Sequence, residues 1–118
     1  MEYSAGHVLF HEGDEGREMF YILEGEVLIS KNIEGRNIEI ARLGEGDIFG
    51  EMALIREHPR TATAITATDA RLLSITRENF EEKMRDNPGF AWHIMNSLAK
   101  RLEKTTDELM MLKYIISG

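Results

Sequence analysis

A break in pattern near residue 77 constrains this chain more than any other feature. Before it, short apolar or alternating runs are separated by glycine-bearing turns; after Gly89 the chain runs to Ile116 without a glycine or proline. Strands come first and helix second. Strand-like runs cover residues 7–11, 19–23, 26–31, 37–40, 61–68 and 71–75, with a further strand ending at Phe49. The run 19–23 is apolar on both faces and is expected to be buried on both, whereas Asn37-Ile38-Glu39-Ile40 alternates polar out and apolar in. Short strands at near-regular spacing predict an antiparallel sandwich or roll. The expected fold class is therefore mainly β with a C-terminal α part. A β-roll of jelly-roll type spans about residues 6–76, a short helix about 77–86, and a long helix about 88–116.

Both helices have start signals. Thr76 is placed as an N-cap for the first, and Asn87-Pro88 gives a capping asparagine followed by proline at the first helical position. The long helix carries Ala91, Met95, Leu98, Leu102, Thr105, Leu109, Leu112 and Ile116 at alternating spacings of four and three. Seven of these eight are apolar, which is the seam of a coiled coil. A homodimer through this helix is the expectation; the competing reading lays the same face on the chain's own sheet.

Composition narrows the function. The 118 residues suit one domain, 1–118. No cysteine is present, so disulfides, thiolate metal sites and cysteine nucleophiles are excluded. Fourteen Lys and Arg against 21 Asp and Glu give a net charge of −7. With no basic run to offset that charge, no direct nucleic-acid binding is expected of this chain. No apolar run is long enough for a membrane span and no secretory leader is legible, so no membrane partner and a cytoplasmic location are expected. Of the four histidines, His7, His11, His58 and His93, none forms a ligand pair of metal-site spacing, and Ser74 and Ser97 have no visible base. An enzyme, a metal or a resident cofactor is not expected.

The chemically informative stretch runs from Asp47 to Ala62. Gly50 permits close backbone approach. Glu51 to Ile55 can form one helical turn whose free N–H groups suit an anion. Glu51 is an acceptor that suits a ribose hydroxyl, and Arg60 can fork to phosphate oxygens. These groups describe a sugar-phosphate site, against a plainer alternative of a turn with a surface ion pair.

Phe49-Gly50-Glu51-Met52-Ala53-Leu54 followed by Pro59-Arg60-Thr61-Ala62 resembles the phosphate-binding cassette of cyclic nucleotide-binding domains, as found in the bacterial catabolite activator and the regulatory subunit of cyclic AMP-dependent protein kinase. Glu12-Gly13-Asp14, Leu23-Glu24-Gly25-Glu26-Val27 and Asn87-Pro88 are similar to further landmarks of that family. The resemblance implies that Glu51 accepts the ribose 2′-hydroxyl and Arg60 neutralises the cyclic phosphate. It also implies that the Met52 and Ala53 amides cradle the phosphate, that Gly50 leaves room for the sugar, that the Thr61 side chain lies at the phosphate or the base edge, and that Ala62 belongs to the same binding set. Phe10, Ile29, Ile40 and Leu43 match apolar wall positions, with plain core as the equal alternative. Thr105 and Thr106 match a hydroxyl pair that meets the adenine amino group, and Thr105 could equally set coiled-coil register. The implied ligand is cyclic AMP, with cyclic GMP as the alternative. The implied role is a regulatory module that relays occupancy through the last helix, its output domain or partner lying outside this chain. A structural dimerisation module with a vestigial pocket is the second reading.

Overall fold

The computed structural model describes residues 1–117; Gly118, the last residue of the expected domain, lies outside them. Eight strands precede three helices. They are β1 (Glu2–Tyr3), β2 (Val8–Phe10), β3 (Glu18–Glu24), β4 (Val27–Ile33), β5 (Arg36–Leu43) and β6 (Ile48–Phe49). Helix α1 (Glu51–Ile55) separates these from β7 (Thr63–Thr66) and β8 (Ala70–Thr76), and α2 (Arg77–Asp86) and α3 (Pro88–Ser117) complete the chain. Two compact units result, Met1–Glu81 and the part from Glu82 onward.

In the first unit the strands form two four-stranded antiparallel sheets, ordered β1-β8-β3-β6 and β2-β7-β4-β5. The crossing strand orders are those of a β-roll rather than a simple meander. Phe20, Ile22, Phe49, Ala70 and Leu72 from one sheet meet Val27 and Ala64 from the other in a single buried cluster. Phe20 and Phe49 stack at 5.1 Å between ring centroids, and Phe10 lies 6.1 Å from each. Met19 and Ile75, paired across β3 and β8, are also fully buried. Because Met19 alternates with Phe20, β3 is buried on both faces at its start, as its unbroken apolar run predicts.

Local chemistry sets the connections. Gly25 turns the chain between β3 and β4 at φ 92°, where a Cβ would come within 2.9 Å of the Asp69 carbonyl oxygen and of Ala70. The turn before β6 is closed by Asp47, whose carboxylate accepts the Gly44 N–H at 2.8 Å. Thr76 caps α2 by accepting the Asn79 N–H, and Asn87 caps α3 by accepting that of Phe90, each at 3.3 Å.

Two expectations change. Ile38 and Ile40 do not turn into the core; they are 40 % and 53 % exposed. β5 is the edge strand of its sheet, and Ile29 and Ser30 pair with Ala41 and Glu39, which leaves Ile40 as the extra residue of a bulge. The bulge resets the alternation, so Ala41 and Leu43 lie opposite Ile29 and Val27. The strand expected over 61–68 starts only at Thr63, because Arg60 is held outside the ladder by the 13–14 turn.

Candidate functional site

The turn at Glu12-Gly13-Asp14 fixes the backbone of Arg60. The Gly13 N–H donates to the Arg60 carbonyl at 2.7 Å, and the Arg60 N–H donates to the Asp14 carbonyl at 2.9 Å. Glu12 extends the clamp: its N–H donates to Thr63 Oγ1, and its carboxylate accepts the Asn32 N–H, each at 2.9 Å. Lys31 Nζ donates to the Thr61 carbonyl at 3.0 Å. Arg60 is thus tied to the β2–β3 turn directly, and its neighbours Thr61 and Thr63 are tied to β4 and to that same turn.

The side chain is then buried, with 6 % of Arg60 exposed. Its guanidinium lies 4.1 Å from the centroid of the Phe10 ring, on the aromatic group at the edge of the core. Nη1 donates to the Gly50 carbonyl at 3.1 Å. Nε is buried without a hydrogen-bond partner. Burial lowers the Arg60 pKa from its ordinary value, against the opposing pull of Glu18, Asp14 and Glu51, in that order. A buried guanidinium stays protonated and costs free energy until its donors are met. An incoming anion would meet them.

Gly50 supplies the second half of the site. It sits at φ 79° as the residue before α1, in the left-handed region. A Cβ there would fall 2.6 Å from Arg60 Nη1. The Cβ side of Gly50 therefore faces the arginine. α1 follows at once, with Glu51 in its first turn and Ala53 and Leu54 buried, which anchors its far side. Met52 is 45 % exposed.

The structure brings Gly50, Glu51, Met52, Ala53 and Arg60 together around one short turn, with buried Ala62 two residues beyond Arg60. Thr61 is exposed. Phe10, Ile29 and Leu43 are partly buried and pack against the core cluster. Ile40 stands on the bulge described above. Thr105 and Thr106 are exposed residues of α3, in the second unit. Sequence reasoning missed Gly16, which borders the guanidinium. A cavity of about 730 Å³ is lined by residues 15–18, 53–54, 57–59 and 76–78, and neither Glu51 nor Arg60 lines it. Among the described residues no group of three or more His, Cys, Asp or Glu could hold a metal ion, and no helix is long and apolar enough to cross a membrane.

A mostly antiparallel β-roll, followed by helices and holding a buried arginine beside a Gly-Glu helix start, defines a class of ligand-binding domain. The sequence profile of that class, the cyclic nucleotide-binding domain, matches residues 1–87. The chain belongs to this family. The CRP-like cAMP-activated global transcriptional regulator of Mycobacterium tuberculosis is 31 % identical over 110 residues, covering 92 % of this chain and 49 % of the regulator. The catabolite activator protein of Thermus thermophilus superposes with a TM-score of 0.81 at 32 % identity, over 97 % of this chain and 54 % of that one. A cGMP-bound EAL enzyme, Bd1971, superposes at 0.66 with 34 % identity, over 86 % of this chain and 27 % of the enzyme. The chain spans about half the length of the curated regulator it matches.

Proposed function

We propose that residues 1–118 form a regulatory module that binds cyclic AMP in preference to cyclic GMP and acts without catalysis of its own. The observation that carries the reading is the Arg60 guanidinium, buried with an unpartnered Nε beside Gly50 and Glu51. That arrangement suits an anion with an adjacent hydroxyl: Arg60 takes the cyclic phosphate, the Met52 and Ala53 amides cradle it, and Glu51 accepts the ribose 2′-hydroxyl. Gly50, Thr61 and Ala62 border the sugar phosphate, and Leu43 and Ile40 form the apolar wall.

Support for cyclic AMP comes from the Mycobacterium tuberculosis relative, named as cAMP-activated, and from the adjacent hydroxyls of Thr105 and Thr106. The cGMP-bound relative keeps the second nucleotide as the competitor to be tested. Occupancy is relayed by linkage: a nucleotide that binds one position of α3 better shifts the population toward it, and a partner reads that position. Titration of nucleotide-free protein with cyclic AMP and then cyclic GMP tests the assignment. Tighter binding of cyclic AMP, weakened in Thr105→Ala and Thr106→Ala, is expected; equal or reversed affinities overturn the preference.

The heptad face of α3 favours a second reading, a dimerisation module with a vestigial pocket. Met95, Leu102, Leu109, Leu112 and Ile116 are each at least half exposed in the single chain. A dimer that binds neither nucleotide would select it.

A further inference from the structure

We infer that Gly16 is a positioning residue for the phosphate-binding arginine, its missing side chain being what lets the Arg60 guanidinium lie in place with its Nε–Nη2 edge against the Gly16 backbone. The inference rests on the cyclic-nucleotide reading of the cassette. A Cβ built on Gly16 would come within 2.6 Å of three atoms of Arg60, namely Nε, Nη2 and Cζ. No side chain occupies such a position without displacing its neighbour. The point lies nearest to Nε and Nη2, the edge of a guanidinium that presents two parallel N–H groups to an oxyanion. Nε on this edge is the buried donor that no protein group accepts from.

Two further contacts define the seat of the guanidinium. The Phe10 ring lies 4.1 Å from Cζ. Nη1 is bonded to the Gly50 carbonyl, and Gly50 too lacks room for a Cβ beside Nη1. Two glycines from separate segments and one aromatic ring therefore make a slot shaped to a planar cation. The two glycines differ in kind. Gly50 is needed for its backbone conformation as well as its space, with φ at 79°. Gly16 lies outside the left-handed region, so alanine fits its backbone, and the atoms it would strike belong to the far end of a long side chain. A Gly16→Ala chain is expected to fold and to misplace Arg60.

The test uses the full chain in two measurements. In the first, side-chain 15N spectra follow the Arg60 Nε–H resonance, identified by its loss in Arg60→Lys. Gly16→Ala is expected to move that resonance while the thermal midpoint stays within a few degrees of the wild type. In the second, titration with cyclic AMP is expected to show at least about tenfold weaker binding in Gly16→Ala. An unmoved resonance overturns the inference, even if affinity falls. A moved resonance with wild-type affinity overturns it as well. A wild-type chain that binds no cyclic nucleotide refutes the underlying reading, and the resonance alone then decides whether Gly16 holds Arg60.

Discussion

Arg60 concentrates the cost and the use of this fold in one side chain. A charge with 6 % exposure and an unmet donor does little for the ligand-free protein. Arg60→Met should therefore keep the unfolding free energy within about 1 kcal/mol of the wild type or raise it, since apolar replacement of a buried ion is often neutral or favourable. Urea denaturation of the ligand-free protein checks this, and a loss of 3 kcal/mol or more would show that the guanidinium holds the fold. Arg60→Ala should weaken cyclic AMP binding by about 2–5 kcal/mol, because the phosphate loses its buried counter-charge; calorimetric titration reads that difference. Much of this site was legible in the residues themselves. Glu51 and Arg60 announce an acceptor and an anion fork, and the Gly50-Glu51 step announces a helix start. Gly16 was not legible. A glycine in a turn-rich segment reads as a turn, and only the folded chain shows that its vacant Cβ position faces a distant arginine.

At the scale of elements, alternation and punctuation carried the strands, and caps carried the helices. The Asn87-Pro88 start of α3 is made as read, with the Asn87 side chain accepting the Phe90 N–H. Asn87→Ala should cost about 1 kcal/mol in a denaturation experiment, the usual value of a cap. What stayed hidden were features that depend on a neighbouring strand. The Ile40 bulge is a matter of register between β4 and β5, and no property of the β5 sequence alone encodes it. Strand β1, only Glu2–Tyr3, exists because Ala70 and Arg71 offer it an edge. Gly25 shows the opposite case, a turn glycine whose requirement is backbone and steric together. Gly25→Ala should lose about 1–2 kcal/mol to the positive φ and about 1–3 kcal/mol more to overlap with Asp69 and Ala70. A midpoint equal to the wild type in urea would contradict that account.

For the whole molecule, α3 extends 30 residues, about 45 Å of helix, and carries an apolar seam along most of it. Under the proposed pairing, a second copy of the chain would cover that seam. Leu109→Lys is expected to shift sedimentation from dimer to monomer, and a wild-type chain that sediments as a monomer at micromolar concentration contradicts the pairing. Ligand and fold are linked as well. Cyclic AMP at 100 times its dissociation constant should add about 2.7 kcal/mol to the stability of the occupied chain. Isothermal titration of nucleotide-free protein with cyclic AMP decides whether the Glu51–Arg60 cassette is a working nucleotide site. One site per chain at micromolar or tighter affinity is the predicted result. No heat with cyclic AMP or cyclic GMP, together with an unshifted thermal midpoint, would contradict it.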